Sequence, residues 1–163
     1  MHLIAFTKED FEAIKDFMTP IWHSTYTGII PTEQIDFLLS KYFSREGLNH
    51  YRESGYLYFK LVDGETKGVV VICEKDGATY LDKLYLSEDS RGKGYPAFVF
   101  GELLKYGRDI TLNVNQGNER ALRCYFKNGF TIDSEELIDL GNGMINCDYN
   151  LRLTEENYKK KQA

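Results

Sequence analysis

The run SRGKGYP, Ser90 to Pro96, places Arg91, Lys93, two glycines and a proline side by side. An apolar stripe at helical spacing follows it: Ala97, Phe100, Leu103 and Leu104. The bend therefore opens a predicted helix over about Pro96–Tyr106. A helix N-terminus carries unpaired N–H groups and partial positive charge, and a glycine bend before it can aim further amides at an anion. Gly92 and Gly94 permit positive φ and close approach of a ligand. Arg91 and Lys93 add cationic donors. The chemistry these residues could do is phosphate binding; a plain surface turn would use the same glycines. GKGYPA also fits the dinucleotide pattern G-x-G-x-x-A. However, it lies past mid-chain, and the nearest acid, Asp109, begins the next strand instead of ending it. The terminal G-K-[S/T] of a P-loop is absent.

Other residues could move protons. Asp82 shares side parity with Leu84 and Leu86 on a predicted strand, an acid on an otherwise apolar face. It could serve as a base or pair with a lysine. Tyr125 follows Ala121 by one helical turn and reads as a core tyrosine. Asn118 can cap that helix. His23 in WHSTYTG is titratable, and Trp22, Tyr26 and the Gly28 loop form an aromatic segment able to hold an amine by cation–π contact or simply to pack.

These residues need a scaffold, and 163 residues suffice for one domain with a real core. The formal charge of −5 disfavours nucleic acid as a partner and suits a cationic small molecule. Cys73, Cys124 and Cys147 are odd in number and never spaced C-x-x-C, so reduced thiols without a metal are expected. The start HLIAFTKEDFEAI has neither a basic flank nor a long apolar run, and no stretch of about 18 apolar residues occurs. The expectation is a cytoplasmic protein without a membrane segment.

A short strand at His2–Phe6 precedes a helix capped by Thr7, with Asp10 in the reciprocal capping position. Pro20 is expected to break that helix, leaving Trp22, His23 and Tyr26 near a loop. A second helix opens at Pro31, and REGLNHYRES reads as a third. Strands follow at Tyr56–Asp63, Lys67–Lys75 and Thr79–Leu86, resembling an antiparallel meander. After the loop and its helix come a strand at Asp109–Asn115 and a helix from Asn118 to a stop at Gly129. A final hairpin turns at GNG, Gly141–Gly143. The charged tail 154–163 is expected to fray. The order is α+β, or mixed α/β with one central sheet.

Two segments carry a resemblance. LYLSEDSRGKGYPAFVFGELL resembles the acyl-CoA pyrophosphate loop of the GNAT superfamily of N-acyltransferases, whose pattern runs Arg or Gln, two residues, Gly, one residue, then Gly or Ala. Arg91 and Gly94 match it. LNVNQGNERALRCYFKNGF resembles the second signature, with Leu112, Val114, Asn118, Ala121, Tyr125, Lys127, Gly129 and Phe130 all at matching spacing. The similarity covers roughly Gly55 to Leu153. It implies one central, mostly antiparallel, partly splayed sheet of six or seven strands flanked by helices. Residues 1–54 would form an acceptor-side region and 55–153 an acetyl-CoA-binding core. It further implies that Arg91, Gly92, Lys93, Gly94 and Tyr95 hold the pyrophosphate. The backbone of Leu84, Tyr85 and Leu86 would pair with the pantetheine, with Asn118 near the same arm.

Pro96 departs from the pattern: it supplies no N–H to a phosphate, though its φ suits a first helical turn. Asn113 stands where some relatives carry a Glu and cannot accept a proton. The implied activity is transfer of an acetyl group from acetyl-CoA to a primary amine, a polyamine-like cation or a peptidyl amine, by direct attack in a ternary complex. An amine of pKa about 10.4 must first lose a proton, roughly 4.6 kcal/mol at pH 7. Tyr125 is implied as the acid that protonates the leaving thiolate, Asp82 as a base acting through water, and Trp22, His23 and Tyr26 as acceptor contacts. A non-catalytic acyl-CoA-binding module is the alternative, and a nucleotide-binding oxidoreductase a second. Exposed edge strands could support a homodimer.

Overall fold

The computed structural model describes residues 1–141 and 143–163. Its strands lie in the order β1-β2-β3-β4-β5-β7-β6 in a seven-stranded sheet. In chain order these are β1 (His2–Ala5), α1 (Lys8–Tyr26), α2 (Thr32–Tyr42), α3 (Arg45–Glu53), β2 (Leu57–Asp63), β3 (Glu65–Lys75), β4 (Ala78–Leu86), α4 (Tyr95–Leu104), β5 (Ile110–Asn115), α5 (Glu119–Lys127), β6 (Thr131–Gly141), β7 (Met144–Leu153) and α6 (Glu155–Gln162). The expected turn at Gly141–Gly143 includes Asn142, which lies outside the described residues. Among the described residues no helix is long and apolar enough to cross a membrane.

The chain divides into two compact units, Met1–Ile72 with Lys83–Lys93, and Cys73–Asp82 with Gly94–Ala163. In the first unit β2 pairs antiparallel with both β1 and β3. The reciprocal cap at Thr7 forms: the Thr7 N–H donates to Asp10 Oδ2 at 2.8 Å, and Asp10 N–H donates to Thr7 Oγ1 at 3.3 Å.

Pro20 does not end α1, contrary to expectation. A mid-helix proline costs about 3 kcal/mol because it removes one N–H bond and crowds the preceding turn. The turn beyond it carries Ile21 and Trp22, 4% and 5% exposed, in a core cluster with Ile35, Leu39, Phe43, Tyr58, Val69 and Val71. Burying two large apolar side chains contributes a comparable amount or more, so packing overrides the local rule. Pro20 itself is exposed. Pro20→Ala is expected to raise unfolding stability by about 1–3 kcal/mol, measured by denaturant melts with an unchanged m-value. A fall in stability would contradict this account.

In the second unit β4 and β5 pair in parallel at Thr79↔Ile110 and Tyr80↔Thr111, whereas β5 pairs antiparallel with β7 along its whole length. Strand β7 lies between β5 and β6. Its Leu151 and Leu153 are buried with Ile110, Leu112 and Val114 of β5 and with Val99, Phe100 and Leu103 of α4. The tail does not fray but forms α6. Thr154 caps it by accepting from Asn157 N–H at 3.1 Å, and the Tyr158 hydroxyl donates to the Ala97 carbonyl at 2.9 Å. Glu155–Lys159 and Glu156–Lys160 pair at helical spacing. Gly129, at φ +104°, lets the chain pass the Asn157 carbonyl, which a Cβ there would meet at 2.7 Å.

Candidate active site

The loop 91–95 takes the conformation its glycines allow. Gly92 and Gly94 sit at φ +73° and +80°. Gly94 is the N-cap of α4, which starts at Tyr95 without a side-chain cap. Its first helical bond runs from Phe98 N–H to the Gly94 carbonyl at 3.4 Å. The earlier amides of the first turn have no partner within the helix itself, and Pro96, its second residue, has no N–H to offer. Gly92, Lys93 and Gly94 are exposed, while Tyr95 is buried and anchors the helix start. Arg91 lies on the first unit, where its Nη2 donates to Thr25 Oγ1 on α1 at 3.3 Å.

Leu84, Tyr85 and Leu86 are half-buried on β4. The Tyr85 ring lies 6.1 Å from that of Trp22, so α1 packs beside this strand. A Cβ on Gly68 of β3 would meet the Tyr85 carbonyl at 2.4 Å, so only glycine permits this spacing. Trp22, His23 and Tyr26 occupy the last turns of α1 and not a loop. Trp22 belongs to the core, ringed by Tyr26, Tyr42 and Phe43. His23 Nε2 is 2.8 Å from Asp36 Oδ1 of α2.

In the second unit, Asn118 caps α5 by accepting from Ala121 N–H at 3.2 Å. Tyr125 stacks near Phe100 and Phe130, with ring centroids 6.2 and 5.3 Å away. Burial among these rings, with a small contribution from Cys124, pushes its phenol up to about 12. It therefore stays neutral at any working pH and keeps a proton to donate. Burial also raises the Cys124 thiol, which keeps it from acting as a nucleophile near neutrality.

One face of β5, β7 and β6 is polar, and sequence reading found only part of it. Asn113 Nδ2 donates to Asn150 Oδ1 at 3.0 Å and to Glu136 Oε2 at 3.2 Å. Asn150 donates to Ser134 Oγ at 3.0 Å. Asp148 stands opposite Glu136 in the β6–β7 register and accepts from Asn146 Nδ2 at 3.1 Å. It is 6% exposed, the one buried charged residue among those described. Burial and the charge of Glu136 raise its carboxyl above the usual range. Tyr80 of β4 is raised by burial and by the charges of Asp82, Cys73, Glu136 and Asp148. Asp82, half-buried on β4, thus shares its surroundings with two acids that were not predicted. Alternation in NCDYNLRL shows that Asp148 shares a face with Asn146, Asn150 and Arg152. It does not show that the neighbouring strand brings another carboxylate.

No group of three or more His, Cys, Asp or Glu among the described residues could hold a metal ion. The acetyltransferase (GNAT) family matches residues 15–130, a span containing the loop 91–95, Asn118 and Tyr125. No curated protein matches the chain. Among solved structures it is similar to the PaiA N-acetyltransferase of Thermoplasma acidophilum in complex with coenzyme A. That likeness has 22% identity over 93% of this chain and 98% of that one, with a TM-score of 0.70. The chain is also similar to the spermidine N-acetyltransferase of Vibrio cholerae in complex with CoA and spermine, with 19% identity over 97% of each chain and a TM-score of 0.66. At these identities the shared property is the fold: a mixed α/β sheet flanked by helices. With residues 15–130 of its 163 matched, the chain belongs to the acetyltransferase (GNAT) family.

Proposed function

We propose that the protein transfers an acetyl group from acetyl-CoA to a primary amine of a small aliphatic cation, with a polyamine as the favoured acceptor. The observation that carries this reading is the family match across both the 91–95 loop and Tyr125. The formal charge of −5 and the spermine held by the Vibrio cholerae structure favour a cationic acceptor over a neutral one.

In this reading the amides and cationic side chains of Arg91, Gly92, Lys93, Gly94 and Tyr95 hold the pyrophosphate, as a glycine bend before a helix is suited to do. The backbone of Leu84, Tyr85 and Leu86 aligns the pantetheine as a strand aligns a peptide, and Asn118 adds a polar contact beside its cap. The acceptor nitrogen attacks the thioester carbonyl directly, since the raised Cys124 thiol offers no acyl-enzyme route. Tyr125 gives its proton to the departing sulfur. Tyr26 and His23 face the acceptor, while the buried Trp22 shapes the wall behind them. Asp82 adds negative charge that favours a cationic substrate.

The test is calorimetry with CoA and acetyl-CoA, followed by thiol release over spermidine, spermine, an aliphatic monoamine, a lysine peptide and an aminoglycoside. Heat with CoA and turnover on the polyamines are expected. No heat with CoA sinks the reading. Heat without thiol release on any amine leaves an acyl-CoA-binding module instead, the alternative that Pro96 favours. Pro96→Ala restores a first-turn donor, worth about 0.5–1.5 kcal/mol if it meets a phosphate oxygen. Its Kd for CoA should fall about two- to tenfold, while stability drops by about 0.4–1 kcal/mol as the unfolded chain gains freedom. Unchanged affinity would place the phosphate away from this turn.

A further inference from the structure

We propose that Asp148 is the group that takes the proton from the acceptor ammonium, with Glu136 on the neighbouring strand setting its readiness; this rests on the acetyl-transfer reading above. Burying a carboxylate without a cation is strongly unfavourable, and like charges directly opposite on paired strands add to that. Asp148 meets both conditions. It is 6% exposed, and neither it nor Glu136 joins an ion pair among the described residues.

The groups facing this acid are accounted for on every neighbouring strand of its unit. Strand β5 offers Asn113 and Asn115, β7 offers Asn146 and Asn150, and β6 offers Ser134 and Glu136. Beyond them lie Tyr80 and Asp82 of β4 and Cys73 of β3, coupled through Tyr80. None is a cation. An asparagine at 148 could accept the same hydrogen bond from Asn146 without the electrostatic cost, so stability does not account for an acid here. Proton transfer does: no cation pairs with Asp148 or Glu136 among the described residues, and an ammonium supplies one. Burial and Glu136 also raise the Asp148 carboxyl, which narrows the gap between its proton affinity and that of an amine. Asp82 is the weaker candidate because it is only half-buried, whereas Asp148 is 6% exposed.

The step balances. The ammonium gives one proton to the Asp148 carboxylate and becomes a neutral amine. Its lone pair forms the N–C bond as the C–S bond breaks and the electron pair goes to sulfur. The nitrogen's second proton replaces the one that Tyr125 gives to sulfur. The proton on Asp148 leaves to solvent.

The experiment is a kcat/KM profile against pH with acetyl-CoA and spermidine for the wild type, Asp148→Asn, Glu136→Gln and Asp82→Asn. Asp148→Asn is expected to lose about 10²-fold or more near pH 7 and to regain rate steadily with pH as free amine accumulates, with CoA affinity unchanged. Glu136→Gln should move the ascending limb to lower pH by removing the charge that raises Asp148, a shift that a merely structural role would not produce. A wild-type profile in Asp148→Asn, or loss of the limb in Asp82→Asn alone, overturns the proposal. Absence of turnover by the wild type overturns the acetyl-transfer reading with it.

Thermal melts give a second readout. A carboxyl raised in the folded state favours the protonated native form, so its ionisation costs stability as pH rises through the folded value. Asp148→Asn should therefore melt no lower than the wild type at pH 8, with any advantage fading in acid. A lower melting temperature that does not vary with pH would make Asp148 structural and overturn the proposal.

Discussion

Tyr125→Phe is expected to lower kcat by about 10²–10³-fold while leaving CoA affinity within about twofold, the range for loss of a positioned proton donor. The fold should tolerate the change. The ring keeps its contacts with Phe100 and Phe130, at centroid distances of 6.2 and 5.3 Å, and only the hydroxyl is removed. The raised phenol also defines how the residue works. Against a thiol near 8.5, a phenol at about 12 makes full proton transfer to a free thiolate uphill by roughly 3.5 pKa units, about 5 kcal/mol. A phenolate therefore does not accumulate. In the proposed mechanism Tyr125 gives its proton as the C–S bond breaks and is refilled from the amine. For the same reason it contributes no descending limb below about pH 11, and the deficit of the variant should be equal at pH 7 and pH 9. A kcat within twofold of wild type, or a deficit that vanishes at pH 9, would remove Tyr125 from the proton path.

Much of the architecture is written locally. The reciprocal cap at Thr7, the Asn118 cap and the positive-φ glycines are short-range devices, and the structure contains each of them. What local reading missed follows from competition between near and distant effects. Pro20 argues against a continuous α1 by backbone chemistry alone, and the core burial of Ile21 and Trp22 overrules it. Trp22, His23 and Tyr26 were therefore expected on a loop yet lie on that helix. The tail looked too charged to fold, but Thr154 caps it and Tyr158 finds the Ala97 carbonyl more than fifty residues earlier.

The candidate site divides the same way. The roles proposed for loop 91–95 and Tyr125 are legible because they depend on residues adjacent in the chain or one helical turn apart. The polar face is not, because it exists only once β7 inserts between β5 and β6. Asn113 then meets Glu136, twenty-three positions later, and Asp148 meets Glu136 across a hairpin. A strand's alternation shows which residues share its side, but not what the next strand places beside them.

Gly94→Ala should weaken CoA binding by at least tenfold and toward a hundredfold, a loss of about 1.4–2.8 kcal/mol, while lowering stability by about 1–2 kcal/mol. Gly94 holds φ +80° as the N-cap of α4, and a Cβ there costs about that much in backbone strain whatever surrounds it. A Cβ at this position meets no protein atom within 4 Å, so the stability loss has no steric part. The affinity loss has two parts. In the proposed site the methyl group enters the open space through which a phosphate would approach the loop, and relief of the strained φ turns the neighbouring amides away from it. Gly77→Ala separates these effects. Gly77, in the β3–β4 turn, also has a positive φ of +75° and open space around its Cβ position, so it should show the same stability loss with CoA affinity unchanged. If both variants bind CoA as the wild type does, the pyrophosphate is not held by this loop. If both lose affinity in proportion to stability, binding reports the integrity of the fold and not the geometry at Gly94.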